Sequence, residues 1–249
     1  MDLSVVIPCY NEARRLPETV RHIQRHLADI NGSREFILID DGSRDNTLTC
    51  MQEMAGCNRD VRVVALPTNR GKGRAVAEGV RVSRGNFVLV TDADLATPID
   101  ELPKLQRAVK AGADIASGSR AAPGAREINQ PVHRRLMGKA FNLLVRAAVL
   151  PGFTDTQCGF KLFQGRVARE LFNQLRIDGF AFDVEVLWRA KLAGYRVEEV
   201  PVRWRNSDAS RVSPVRHSLQ MSRDLLWLWL RQSSLAPTHH LATEPGESQ

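Results

Sequence analysis

No stretch of the sequence reaches the roughly 18 uninterrupted apolar residues that a membrane-spanning helix needs, so any meeting with a bilayer is expected from one side only. The four cysteines, Cys9, Cys50, Cys57 and Cys158, fall at no metal-ligand spacing and read as reduced thiols of an intracellular protein. No Gly-x-Gly-x-x-Gly follows the first strand pattern, and Gly71-Lys72-Gly73 lacks the spacing of a Walker-type phosphate loop. The N-terminus enters a strand pattern directly, so no signal peptide is expected. Beyond Gln232 the mixture of Ser, Pro, Thr, His and Glu has too few apolar residues to pack, which predicts a disordered tail over 232–249.

What remains is ample for one globular unit. A chain of 249 residues with 43% hydrophobic content can bury a large α/β core, here expected as a single domain over 1–231. Lys and Arg outnumber Asp and Glu by 35 to 28, a net charge of +7 that points to anionic partners: phosphates, nucleic acid or an anionic membrane surface.

The first half repeats one plan. Leu3–Cys9 is a β-branched strand pattern followed by Tyr10-Asn11-Glu12 and a helical pattern from Leu16 to Leu27. Glu35–Ile39 reads as a buried strand that exits through Asp40-Asp41-Gly42-Ser43, with Asp45 as a helix cap before Asn46–Ala55. Val61–Leu66 leads to Asn69-Arg70-Gly71-Lys72-Gly73 and a helix through Val82. Strands alternating with helices predict a mostly parallel, Rossmann-like sheet flanked by helices. The fourth strand, Phe87–Val90, ends in Asp92-Ala93-Asp94. Side chains alternate along an extended segment, so the two acids are expected on one face, beyond the carboxyl ends of the strands where such sheets bind ligands. One or two carboxylates plus substrate phosphates is the usual way to hold Mg²⁺ or Mn²⁺. Asp-x-Asp alone is equally compatible with an acidic surface turn, Lys72 with a solvated lysine, and Asp40 and Asp41 with helix capping.

Asp100 and Glu101 open a helix to about Ala111, and a short strand over Ala113–Ser117 ends in Gly118-Ser119-Arg120. Ala121–Gln130 lacks periodicity and reads as a mobile surface loop. From His133 to Leu150 an apolar stripe opposes Arg134, Arg135, Lys139 and Arg146, an amphipathic helix that fits either a membrane surface or ordinary docking. Asp155–Phe163 and Phe182–Val186 look like stretches that line a site. Arg196–Trp204 is expected as one last strand, followed by a polar loop with Arg205, Asp208, Ser210 and Arg211. The final helix, about Val215–Arg231, is apolar all round and is expected to dock on the sheet.

Pro8-Cys-Tyr-Asn-Glu12, Asp40-Asp-Gly-Ser43, Asn69–Gly73, Asp92-Ala-Asp94 and Gly118-Ser-Arg120 together resemble the family 2 glycosyltransferases, which have the GT-A fold. Gln157-Cys-Gly-Phe-Lys-Leu-Phe163, Phe182-Asp-Val-Glu185 and Trp204–Val212 look like the polyprenyl-phosphate hexosyltransferase branch, with amphipathic helices near the acceptor side. Thr156–Lys161 and the Ala-Thr after the acid pair look closer to its dolichyl-phosphate glucosyltransferases.

The resemblance implies a base and ribose pocket at Pro8, Tyr10, Asn11, Glu12, Ile39, Asp40 and Asp41, and a diphosphate and metal site at Asp92, Ala93 and Asp94, with Asp92 and Asp94 on the ion and Gly71 and Lys72 beside it. Arg120, Arg134, Arg135, Arg205, Ser210 and Arg211 match groups around the diphosphate and an acceptor phosphate, with Gln157, Asp183 and Glu185 also lining the site; Asp94 and Arg120 carry the catalytic roles. Ala96 stands where mannosyl relatives often have Gln, so it supplies no third ligand. Transfer to a sugar hydroxyl needs a general base, for which Asp155, Asp183 and Glu185 are candidates, whereas a phosphate acceptor is already an anion and needs cations. The implied reaction is inverting transfer of glucose from UDP-glucose to a polyprenyl phosphate, at the cytoplasmic face of a membrane, with GDP-mannose as the alternative donor. A non-catalytic nucleotide or nucleic-acid binding module is the rival from another class. Acids at the strand ends would repel a nucleic-acid backbone, so no nucleic-acid partner is expected.

Overall fold

The computed structural model describes residues 1–28, 32–129, 132–206 and 214–232, with side chains described except at 132–136, 139, 214–219 and 232. Gln232, expected to begin the disordered tail, closes the last helix; the tail beyond it and the residues Ser210 and Arg211 lie outside the described residues, as do the side chains of Arg134 and Arg135. No helix among the described residues is long and apolar enough to cross a membrane.

Three strand–helix units open the chain: β1 (Leu3–Cys9) and α1 (Leu16–Ala28), β2 (Arg34–Asp40) and α2 (Thr47–Cys57), β3 (Val61–Ala65) and α3 (Lys72–Val82). Then come β4 (Phe87–Val90), a 3-10 turn (Ile99–Glu101) running into α4 (Leu102–Lys110), and β5 (Ile115–Ser119). The second half holds β6 (Arg126–Ile128), α5 (Val132–Ala148), β7 (Lys161–Gln164), α6 (Gly165–Asn173), α7 (Phe182–Leu192), β8 (Val197–Pro201), β9 (Arg203–Arg205) and α8 (Pro214–Gln232). Seven strands form one sheet in the order β3-β2-β1-β4-β7-β5-β8, with β7 antiparallel to both neighbours and the other pairs parallel.

The continuous apolar runs of the central strands are explained by burial on both faces. Val5, Ile7, Phe36, Leu38 and Leu89 pack against α1 and α4, while Val6, Ile37, Ile39, Val88 and Val90 pack with α3, α6, α7 and α8. In α1 the residues Leu16, Val20, Ile23 and Leu27 recur at helical spacing and are all buried against the sheet.

Three expectations are corrected. Residues 121–130 are not a bare loop: Arg126–Ile128 pairs in parallel with Arg203–Arg205. Correspondingly, Arg196–Trp204 is not one strand. The chain leaves the main sheet after Pro201, the Val202 N–H donates to Ser119 O at 3.1 Å, and β9 crosses to the small sheet. That sheet is clamped by the buried Glu101, which accepts from Arg203 and, at 2.5 Å, from Lys104. Finally, α8 is not buried all round: Leu225 and Leu228 face the core while Leu226, Trp229 and Leu230 are more than half exposed.

Candidate active site

Six loops meet at the carboxyl edge of the parallel strands. Pro8 near the end of β1 and Tyr10, Asn11 and Glu12 after it are half-buried. Asn11 sits in the left-handed region at φ 57, and its side-chain oxygen accepts the Arg44 N–H at 2.7 Å, so the first loop is tied to the second. Asp45 accepts from the Thr47 N–H at 3.0 Å and Thr47 hydroxyl at 2.5 Å, so the cap lies one residue ahead of the helix boundary. Asp40 and Asp41 are both buried, and Ile39 is wholly within the core. Asp41 receives the Arg70 and Gly71 N–H groups at 2.8 and 2.9 Å and the Asn69 amide at 2.9 Å. Burial raises the Asp41 carboxyl above its ordinary range even though those backbone donors oppose the shift. Gly71, at φ 111, brings the loop against the Asp178 carbonyl, where a Cβ would lie 2.5 Å from the oxygen.

The strand ends at Val90, before the acids, so alternation along an extended chain is not what sets their geometry. Asp92 and Asp94 lie in a turn: the Leu95 N–H donates to Asp92 O at 3.2 Å, and Leu95 takes φ 47. The turn is pinned to α1 by the Thr19 hydroxyl, which donates to Ala93 O at 2.7 Å. The acids nevertheless share one neighbourhood. Burial and then the charge of Asp92 push the Asp94 carboxyl above its usual range. Lys72 Nζ stands 2.5 Å from Asp92 Oδ1, Arg15 Nη1 stands 4.0 Å from Asp94 Oδ2, and Gly159 leaves the space that the Asp92 carboxylate fills.

Lys72 also lies 5.9 Å over the Phe182 ring, close to a second, fully buried ion pair in which Lys161 Nζ is 2.6 Å from Asp183 Oδ1. Lys161 donates further to Thr156 O and Cys158 O, at 3.1 and 2.6 Å. Burial raises the Asp183 carboxyl, against the pull of Lys161 and Lys72. On the far side of the acids, Arg120 grips Asp155 with its own N–H at 2.9 Å, Nε at 2.7 Å and Nη2 at 2.9 Å, and stacks 5.5 Å from Trp204. Gln157 is half-buried, its N–H donating to Asp155 Oδ1 at 3.1 Å.

Of the residues singled out from sequence, Glu185 stands apart. It is fully buried, accepts the Arg176 and Ile177 N–H groups and pairs with Arg189 at 2.7 Å, so it shapes the turn before α7. Arg205 is exposed, and its N–H ties β9 to Ala96 O at 2.7 Å. Asp155, Asp183 and Glu185, the three candidate bases, are each held in a cationic pair. Sequence reasoning passed over Glu199, which holds the 154–155 loop; its only signal in the sequence was an acid within a strand pattern.

The donor set at the acids fits a divalent ion: two neighbouring, partly exposed carboxylates that supply hard oxygen ligands. No cluster of three His, Cys, Asp or Glu that could hold a metal occurs among the described residues. Residues 4–172 match the model of glycosyl transferase family 2. The chain belongs to this family. Across most of its length, this glycosyltransferase is 38% identical over 246 residues to the dolichyl-phosphate beta-glucosyltransferase of Drosophila melanogaster, covering 93% of this chain and 75% of that one. The Homo sapiens and Saccharomyces cerevisiae proteins of the same name are 37% and 34% identical over 244 and 243 residues, covering 92% and 90% of this chain and 75% and 73% of theirs. Among solved structures, glucosyl-3-phosphoglycerate synthase from Mycobacterium tuberculosis, in complex with Mn²⁺, UDP-glucose and phosphoglyceric acid, superposes with a TM-score of 0.66 at 22% identity, over 97% of this chain and 85% of that one. The likeness is one of fold, and the glycosyltransferase shares the GT-A architecture.

Proposed function

We propose that this glycosyltransferase moves glucose from UDP-glucose to a polyprenyl phosphate of the dolichyl type, with inversion, to give a β-linked lipid-phosphate sugar. The observation that carries the reading is the fate of the carboxylates: Asp155, Asp183 and Glu185 are each consumed by Arg120, Lys161 and Arg189, while cations flank the acid pair. A site whose three candidate bases are already paired with cations suits an acceptor that arrives as an anion. The names of its relatives support the glucose donor and lipid acceptor.

Position along the sheet edge supports a task for each group. Pro8, Tyr10, Asn11, Glu12, Asp40 and Asp41, at the ends of β1 and β2, would take the uridine, with the fully buried Ile39 behind them. Asp92 and Asp94 would hold Mg²⁺ or Mn²⁺, which neutralises charge on the departing diphosphate. Lys72 and Gly71 flank that point on the β3 side, and Arg120, at the end of β5, lies on the acceptor side with Gln157 and Asp183 between. The family resemblance adds Arg134, Arg135, Ser210 and Arg211 as groups for the acceptor phosphate. Two outer helices bear on the membrane: Met137, Leu143 and Leu144 on α5 and Leu226, Trp229 and Leu230 on α8 expose large apolar side chains on helices that touch, beside the exposed Arg146, Arg223 and Arg231. An apolar facet edged with arginines suits peripheral binding to the cytoplasmic leaflet, where the lipid tail stays in the bilayer.

The test is incubation of the purified protein with UDP-glucose or GDP-mannose and a polyprenyl phosphate, with and without EDTA. A glucosylated lipid that disappears with EDTA is expected. Absence of lipid-linked product from every nucleotide sugar would refute the function, and preference for GDP-mannose would move the donor assignment.

A further inference from the structure

Three groups that bind nothing in the proposed reaction converge on Arg120. Glu199 comes from β8, where it pairs in register with Ser117, and its carboxylate reaches the loop before β7. There Oε2 accepts the Thr154 N–H at 2.7 Å, while Oε1 accepts both the Thr154 hydroxyl and the Asp155 N–H at 2.8 Å. The Thr154 hydroxyl is itself 3.0 Å from Ser119 Oγ, at the end of the strand that carries Arg120. One carboxylate therefore collects three donors from two consecutive residues, and the second of these is the acid that fixes both the backbone and the guanidinium of Arg120.

We infer that Glu199 is a positioning residue that, through the Thr154–Asp155 loop, aims Arg120 at the phosphate of the acceptor. The bidentate grip of Asp155 uses Nε and one N–H of Nη2, which leaves three of the five guanidinium N–H groups outside that pair. Their direction is set by where the Asp155 carboxylate stands, and the Trp204 ring 5.5 Å away limits rotation on the other side. Asp155 in turn stands where Glu199 holds its N–H. Without Glu199, two loop N–H groups lose their acceptor, the loop relaxes and the ion pair moves as a unit. Arg120 keeps its partner but loses its register with the incoming anion. The effect falls on the acceptor side of the acid pair, because β5 and β8 are at the opposite end of the sheet from β1 and β2, which carry the nucleoside groups.

The inference rests on the proposed transfer to a lipid phosphate, and kinetics separate the two. Glu199→Gln is isosteric, yet it replaces one accepting oxygen by a donating amide. Thr154→Val removes only the hydroxyl link and leaves the two N–H bonds, so it serves as the milder variant should Glu199→Gln fold poorly. A misplacement of about 1 Å at a reacting centre can cost about 100-fold, and a smaller drift of one cation is expected to raise the KM for polyprenyl phosphate about tenfold in Glu199→Gln and about threefold in Thr154→Val. UDP affinity, read by calorimetry without turnover, and the KM for UDP-glucose are expected to stay within about twofold of the wild type. A merely structural role would lower thermal stability and move the donor and acceptor constants together, and that result overturns the inference. An unchanged acceptor KM in both variants does the same while leaving the transferase assignment intact. A wild-type protein that yields no lipid-linked product overturns the assignment and, with it, the role of Glu199.

Discussion

Replacing Asp155 by Asn removes a charge without changing shape, at a point where the structure sets the cost. Asp155 is 1% exposed, and burial alone would push its carboxyl up; the Arg120 guanidinium and its N–H, together with the Gln157 N–H, instead hold it down, from an ordinary 3.8 to about 2. A depression of that size corresponds to about 2 kcal/mol of folding stability at neutral pH. Because the folded value is the lower one, this contribution is complete above the unfolded carboxyl value near pH 4 and is lost as pH falls through about 2. The neutral amide also strands the Arg120 cation, and breaking a buried pair typically costs about 3–5 kcal/mol. The Arg120 side chain is 19% exposed, so water recovers part of that, and the lower end applies. Urea denaturation at pH 7 should therefore find Asp155→Asn about 3 kcal/mol less stable than the wild type. The gap should narrow steadily between about pH 4 and about pH 2, because protonation removes the same charge from the wild type. A loss under about 1 kcal/mol at pH 7, or a gap that stays constant down to about pH 2, would show that the pair does not carry the stability assigned to it.

Other perturbations test the remaining parts of the site. Asp94→Asn should lower turnover by about 100-fold or more, since it removes a metal-facing charge, and Mn²⁺ binding followed by electron paramagnetic resonance should weaken in parallel. Gly159→Ala places a Cβ into the Asp92 carboxylate; activity should fall about tenfold or more while circular dichroism stays native. Trp229→Ser combined with Leu230→Ser removes two side chains that are 51% and 58% exposed, and binding to anionic vesicles should drop about tenfold or more, with UDP affinity unchanged. Vesicle binding that survives this double substitution would place the membrane face elsewhere.

The first half of the chain was legible because its signals are local. Leu16, Val20, Ile23 and Leu27 announce an amphipathic helix by spacing, and Phe36–Ile39 announces a strand buried on both sides by its unbroken apolar run. Short elements were not legible: β6 and β9 have three residues each, too few for alternation to show, and each is a strand only because the other lies beside it. Nine-residue α6 was likewise missed between two stretches read for their polar groups. At the acids, the extended-strand reasoning failed because the chain turns at Asp92; what brings the carboxylates together is the turn and the Thr19 bond, neither visible as a pattern. The terminal helix misled for a different reason. An apolar run implies burial only when every face has a neighbour, and α8 has one for Leu225 and Leu228 but none for Leu226, Trp229 and Leu230 among the described residues.

The exposed facet and the locked carboxylates answer to the same physical problem. A lipid phosphate must bring its charge to a site already crowded by Asp92 and Asp94 while its tail remains in an apolar phase. The α5 helix that exposes Met137, Leu143 and Leu144 buries Val145, and its end continues through the buried Val149 and Leu150 into the loop whose Asp155 fixes Arg120. The α8 helix packs its Gln220 side by Gly179, just ahead of Phe182 and Asp183. The α5 surface is thus joined by a short, packed connection to Arg120 at the acceptor end, while α8 abuts the 178–179 segment, whose Asp178 carbonyl meets Gly71 beside Asp41. A soluble sugar acceptor would gain nothing from that arrangement. An amphiphile with an anionic head would, since the proposed docking of the facet on a bilayer would bring the head group towards Arg120 without drawing the tail into water.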